Sequence, residues 1–331
     1  MKPRAIYVGG LEAIEEVYPA DIRRGISRLV EVLGPPRTPE SVEVNPSQLA
    51  DAQIILGTWT LPRLDANLLA HAPRLEAVFY GAGTVRPFVT EAMWDRGIRL
   101  FTGVWANAVP VADFTLAAIL WSLKRGWSAS DAMRAGEPPP ARSSVPGIND
   151  STVGLVGMTT IARALRWRLR GFQVKVVAQH HKPSSELARE LAVKFMSMDE
   201  VFRVSDVVSL HSPLLDSTRG MVTGRHFELM KPGSTFINTA RGAIVRENEM
   251  IDVLTRRPDI QAVLDVTDPD PPALDSPLRT LPNVVLTPHI AGAIGRERRI
   301  LGSAMLEELN RYLRGEMPRW ELSRERASMM A

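Results

Sequence analysis

The chain has 331 residues, 45% of them hydrophobic and 23% charged, with a formal net charge of +3. This is the composition of a soluble globular protein long enough for two domains, and so small a charge with no Lys/Arg block gives no argument for a nucleic-acid partner, so none is expected. Cysteine is absent, which excludes disulfides and thiolate zinc sites and fits a reducing compartment; no metal is expected.

The N-terminus, MKPRAIYVGGLEAIEE, starts basic, but Glu12, Glu15 and Glu16 break the apolar core that a secretory signal needs. A cytoplasmic location with no membrane partner is expected. Short runs rich in Val and Ile predict strands at Ala5–Val8, Ile54–Leu56, Ala77–Tyr80 and Arg99–Phe101. Ala108 to Leu123 follows, apolar nearly all round, and predicts a buried helix. Its most apolar part, ADFTLAAILWSL, is too short to span a bilayer and carries Asp113. The next stretch, AGEPPPARSSVPGINDS, reads as a loop or linker. A second series of strands is predicted at Val153–Val156, Val174–Ala178, Val207–Leu210, Thr235–Asn238, Ala262–Asp265 and Val284–Leu286. A last helical pattern runs from about Ala291 to Arg314. This alternation of strand and helix argues for the α/β class, with parallel sheets covered on both faces.

The segment STVGLVGMTTIARALRWRLRGFQVKVVAQHHK has the layout of a dinucleotide-binding unit: strand, tight turn, helix, second strand. Such a turn places a pyrophosphate at the helix N-terminus, where free N–H groups and the helix dipole favour anions. The G-x-G-x-x-G fingerprint is degraded to Gly157, Thr159 and Ala162. Thr159 brings a side chain to the place where backbone should approach phosphate. Where the second strand should end in a ribose-binding acid, the chain has His180, His181 and Lys182. No carboxylate stands there to repel a 2′-phosphate, so NADPH is expected to be accepted and favoured over NADH. The alternative is a solvated basic loop that is neutral between the two.

Three downstream segments place polar groups at strand ends, where open α/β sheets bind ligands. STFINTARGAIVRENEM offers Arg241, AVLDVTDPDPPALDSPL offers Asp265 and Asp270, and NVVLTPHIAGA offers His289. A guanidinium can grip the carboxylate and carbonyl of a keto acid, and an imidazole can supply a proton as a hydride arrives. An acid on the other ring nitrogen favours the imidazolium and fixes the ring. Hydride chemistry itself belongs to a nicotinamide.

At these residues the chain resembles the D-isomer-specific 2-hydroxyacid dehydrogenase family. The matching pieces are YGAG at Tyr80–Gly83, NAVPVAD at Asn107–Asp113, VGLVG, DVVSLHSPLLDSTRG, INTARG, LDVTDPDP and LPNVVLTPHIAG, in that order. The resemblance implies two doubly wound parallel-sheet domains. A Rossmann-type nucleotide domain, 108–294, would be inserted into a flavodoxin-like substrate domain formed by 1–107 and 295–331, with the active site in the cleft and closure expelling water. It implies Arg241 as the substrate-binding residue, His289 as general acid/base and Asp270 as its partner. Family members usually carry Glu at the Asp270 position, and Asp is one methylene shorter. Backbone N–H groups around Ala82 and Gly83 are implied to bind the substrate carboxylate. Cofactor contacts are implied at Gly157, Thr159, Thr160, Ile161 and the basic trio. Ser212 and Pro213 fall on the adenine side, with His211 and Thr218 beside them. Thr239 and Asp265 fall towards the nicotinamide, and Ala240, His289 and Gly292 are implied as further cofactor contacts. His211 either packs the cofactor edge or is structural, and Asn107 either approaches the nicotinamide or caps the helix after it.

The family is commonly dimeric through the nucleotide domain, and Trp121 and Trp127 either line such an interface or fill the core. A rival reading is a nucleotide-sensing binding protein of the same fold with little turnover, favoured by the altered glycine loop and the shorter acid. A formate-type dehydrogenase is disfavoured by the acid at 270. Which small 2-keto acid is taken stays open, from glyoxylate and hydroxypyruvate to bulkier acids.

Overall fold

The computed structural model describes residues 1–330. The chain divides into two compact units, one formed by Met1–Asn107 with the chain from Ala293 onward, the other by Ala108–Gly292.

The first unit carries six strands: β1 (Arg4–Val8), β2 (Glu31–Val32), β3 (Ile54–Gly57), β4 (Ala77–Tyr80), β5 (Arg99–Thr102) and, late in the chain, β13 (Glu321–Leu322). Their order is β13-β5-β4-β3-β1-β2, parallel except for the β13–β5 pair. Alternate strand residues feed two cores. Ile6, Val8, Ile55, Val78 and Leu100 face one side, while Tyr7, Ile54, Leu56, Phe79 and Phe101 face the other. Because both faces are covered, the strands read as unbroken apolar runs, which is why the sequence reveals them.

The second unit carries β6 (Thr152–Val156), β7 (Lys175–Gln179), β8 (Lys194–Phe195), β9 (Val207–Leu210), β10 (Thr235–Asn238), β11 (Gln261–Leu264) and β12 (Val284–Leu286). All pairs are parallel, in the order β12-β11-β10-β9-β6-β7-β8. The direction of winding reverses between β6 and β9, so the crevice at their C-terminal ends is a ligand position by topology. Both units are thus doubly wound, the second a Rossmann-type sheet and the first in the flavodoxin-like order.

Two expectations change. The buried helix is longer than its sequence pattern and spans Val104–Leu123, through Pro110. By length and composition alone its 20 residues are apolar enough to cross a membrane, with a hydropathy of 1.4. That apolarity is used in packing: Ala112, Ala118, Ile119 and Leu123 lie in the core of the second unit, and Asp113 pairs with Arg168. The last helix starts at Arg299, not near Ala291, and runs to Leu313. The N–H groups that would begin it earlier are captured by side chains: Ala291 by Asp265, Ala293 by Asn107 and Ile294 by Glu297. The Pro/Ser-rich stretch lies inside the second unit, holding only a 3-10 turn at Arg142–Ser144 after the helix Gly126–Ala135. Trp121, 49% exposed, packs edge-on to Trp127, whose indole N–H donates to Ser122 Oγ.

Candidate active site

The turn after β6 is built for close approach. Gly157 has φ +89°, and a Cβ there would lie 2.5 Å from Ser212 Oγ and 2.8 Å from Ser212 Cα. Only glycine combines that backbone with that clearance. Thr159, at the N-cap of the helix Thr160–Arg168, makes no side-chain cap. Its hydroxyl instead donates to the His211 carbonyl at 2.9 Å. The Thr159 side chain is therefore directed at the end of β9, and no side chain covers the leading N–H groups at Thr160 and Ile161. This open helix end beside a glycine-only turn fits a pyrophosphate. Ala162, in third place, is fully buried against the sheet.

The β9 end supplies the facing wall. His211 is 3% exposed, its Nε2 shares a hydrogen bond with Ser209 Oγ at 2.9 Å, and burial pushes its pKa down to about 3. It is a neutral, enclosed ring. Ser212 Oγ reaches the Val156 carbonyl at 3.3 Å, and the Thr218 hydroxyl closes the following turn on the Pro213 carbonyl at 2.6 Å. At the end of β7, His180 is half-buried, with its ring 4.5 Å from that of His181 and stacked on Phe195. Burial first, then His181 and Arg163, lower the His180 pKa. His181 and Lys182 are exposed.

The remaining site residues follow β10, β11 and β12, three neighbouring parallel strands. Asn238, the last residue of β10, is buried and clamps the next turn: its Oδ1 accepts the Ala240 N–H at 3.0 Å and its Nδ2 donates to the Arg241 carbonyl at 3.1 Å. Arg241 Nη1 donates to the Ala240 carbonyl at 2.6 Å. Burial lowers the guanidinium pKa, and the nearby Asp270 carboxylate opposes that shift. Thr239, also buried, shares a hydrogen bond with Thr115 at 3.2 Å.

His289 and Asp270 meet, with Nδ1 to Oδ2 at 2.7 Å, so the shorter acid spans the gap. The imidazole side chain is 52% exposed, and Nε2 has no hydrogen-bond partner among the described residues. His289 holds a left-handed backbone, φ +55°, an uncommon state for a residue with a side chain. Asp265 explains how. Its carboxylate, 1% exposed, accepts from Thr287 Oγ1 at 2.6 Å, the Ile290 N–H at 2.8 Å and the Ala291 N–H at 2.9 Å. Those three donors flank His289 on both sides. The sequence reading placed Asp265 towards the nicotinamide; the structure turns its oxygens to the histidine loop.

In the other unit, two expectations are corrected. The Ala82 N–H donates to the Tyr80 carbonyl at 2.8 Å, closing a tight turn, and is not open to a ligand. The half-buried Gly83 N–H has no acceptor among the described residues. Asn107 does not cap the helix from outside, because it is the fourth residue of Val104–Leu123. Its Oδ1 accepts the Ala293 N–H at 3.0 Å, and its Nδ2 lies 3.6 Å from where a Cβ on Gly83 would be. Sequence reasoning missed Asn238, Gly242 and Glu247, although the INTARG run contains the first two.

The profile of the D-isomer specific 2-hydroxyacid dehydrogenase, NAD binding domain, matches residues 116–291. Glyoxylate/hydroxypyruvate reductase B of Cronobacter sakazakii is 30% identical over 289 residues, covering 86% of this chain and 88% of its own. Glyoxylate reductase of Thermococcus litoralis is 30% identical over 333 residues, 96% of each chain. A solved phosphoglycerate oxidoreductase from Rhizobium etli shares the fold with a TM-score of 0.82 at 24% identity, over 98% of this chain and 99% of that one. The chain belongs to the D-isomer-specific 2-hydroxyacid dehydrogenase family and is an enzyme of that class.

Proposed function

We propose that this enzyme reduces a small 2-keto acid to the D-2-hydroxy acid, with His289 as proton donor, Asp270 as its partner and Arg241 as the substrate-binding cation. The observation that carries this reading is the 2.7 Å contact between Asp270 Oδ2 and His289 Nδ1. With Nδ1 engaged, Nε2 is the nitrogen left to meet a substrate oxygen. When bound, the reduced dinucleotide supplies the hydride. Gly157 and the open helix end at Thr160 and Ile161 would hold its pyrophosphate, and Ser212, Thr218, Thr239 and Ala240 would contribute to its binding. His289 Nε2 gives its proton to the carbonyl oxygen as the carbon is reduced, and takes it back in the reverse direction. Asp270 stabilises the imidazolium before transfer, and Arg241 binds the carboxylate and polarises the carbonyl.

Exposed His181 and Lys182, with no carboxylate at the end of β7, favour NADPH, since a 2′-phosphate meets only basic or neutral groups there. The names of the relatives at 30% identity point to glyoxylate and hydroxypyruvate as first substrates to try. The two departures that recommended a binding protein without turnover lose weight: Thr159 points its hydroxyl at His211, and Asp270 reaches His289. The test is a panel of 2-keto acids assayed with NADH and NADPH, together with the Kd of each cofactor. Turnover of at least one small acid and tighter NADPH are expected. Clearly tighter NADH contradicts the cofactor preference, and cofactor binding with no turnover of any acid contradicts the enzymatic role.

A further inference from the structure

The loop that delivers Asp270 is held from two sides. At its start, the 267–268 backbone lies directly against Gly242: a Cβ on that glycine would come within 2.0 Å of the Thr267 carbonyl carbon and 2.6 Å of the Asp268 nitrogen. Any side chain at 242 would push the loop away. On the other side stands Glu247, the first residue of the helix Glu247–Arg256. Its Oε2 accepts the Asp268 N–H at 2.9 Å. The Thr267 hydroxyl then closes on the Pro269 carbonyl at 2.6 Å, and the next residue is Asp270. Glu247 is half-buried and the reaction derived above does not use it. Burial raises its pKa, the hydrogen bond from Asp268 opposes this, and the Asp268 carboxylate adds to it. The helix dipole favours an acid in this first turn, and this one is in addition bonded to the Asp268 N–H beside a second carboxylate.

We propose that Glu247 is a positioning residue for the proton-transfer pair: through the Asp268 N–H it fixes the loop at the height from which Asp270 reaches His289. The proposal rests on the reading of His289 as proton donor. Asp270 is one methylene shorter than the Glu usual in this family, so its contact with the ring depends on where the loop sits. The groups bearing on the pair are Arg241 after β10, Asp268 and Asp270 after β11, His289 after β12, and Glu247 on the helix. Asp268 and Glu247 are joined by the hydrogen bond at issue, and Arg241 lies close to Asp270.

The test is kinetic, on the full chain, with active sites counted by cofactor binding. Glu247→Ala is expected to lower kcat/KM for keto-acid reduction about tenfold. It is also expected to move the high-pH fall of that profile to lower pH, because a carboxylate that drifts from the ring supports the imidazolium less. Glu247→Asp, which keeps the charge but falls short of the Asp268 N–H, should do the same. Glu247→Gln, whose amide oxygen accepts that N–H, should recover most of the rate and the original profile. In an Asp270→Asn background, Glu247→Ala should cost little more. An unmoved profile in both the Ala and Asp variants overturns the proposal, as does a loss that is fully additive with Asp270→Asn. His289→Gln measured alongside separates the two readings. If it retains turnover, the proton-donor assignment fails; if turnover is lost while the Glu247 variants behave as wild type, only the positioning role fails.

Discussion

Asp265 sits at the end of β11 with three hydrogen bonds converging on one buried carboxylate, all from the loop that presents His289. A positive φ at a residue with a side chain costs on the order of 1–3 kcal/mol and persists only where its surroundings impose it. Here the two N–H bonds at Ile290 and Ala291 and the Thr287 hydroxyl impose it. Asp265→Asn replaces one oxygen by a donor that faces donors. Stability should fall by about 1–3 kcal/mol in chemical denaturation, the usual cost of an unmet buried polar group. Activity should fall further, by about tenfold to a hundredfold in kcat/KM, because the imidazole is misplaced. Unchanged denaturation and kinetics would remove Asp265 from the account. The residue itself was legible in LDVTDPDP, but the direction of its oxygens was not. A run of residue types gives position along a strand, whereas the partners of Asp265 come from a loop more than twenty residues away. At Ala82, likewise, YGAG locates the turn, but the hydrogen bond from the Ala82 N–H that closes it leaves no mark in the residue types.

Among elements, the long parallel strands were readable because each is apolar on both faces, and their ends fell within a residue or two of their predicted ends. The strands β2, β8 and β13 were not. Each has two residues, too few for any pattern, and pairing is fixed by distant contacts such as Glu321 on Arg99 across β13 and β5. The last helix was misplaced at its start because helical periodicity cannot reveal N–H groups captured by Asp265, Asn107 and Glu297. The β6 turn was readable only in part. Its first glycine matched the fingerprint, yet the harmlessness of Thr159 depends on a carbonyl at His211, fifty-two positions on. This turn makes its own prediction. Gly157→Ala places a methyl against Ser212 in a backbone state that disfavours side chains. NADPH affinity should drop about tenfold or more, a loss near 1.4 kcal/mol or above. A Kd equal to that of the wild type would show that the turn does not carry the cofactor.

At the scale of the molecule, each unit solves the same packing problem with a mostly parallel sheet between two apolar layers, and the second unit carries the proposed catalytic residues after neighbouring strands at one edge of its sheet. Arg241, Asp270 and His289 are 48 positions apart from first to last, yet they follow consecutive strands β10, β11 and β12. That is why the candidate site could be proposed from the sequence: polar residues just after apolar strands in a parallel sheet collect at one end. The supports at Asn238, Gly242 and Glu247 were not legible, since their value lies in backbone contacts and not in residue type. The central claim is that His289 moves the proton and that the dinucleotide is held chiefly by other groups. Steady-state turnover of glyoxylate or hydroxypyruvate by His289→Gln, with cofactor Kd measured on the same sample, tests it most directly. A fall in kcat of about a hundredfold to ten-thousandfold with Kd preserved is the predicted result, and an undiminished kcat contradicts it.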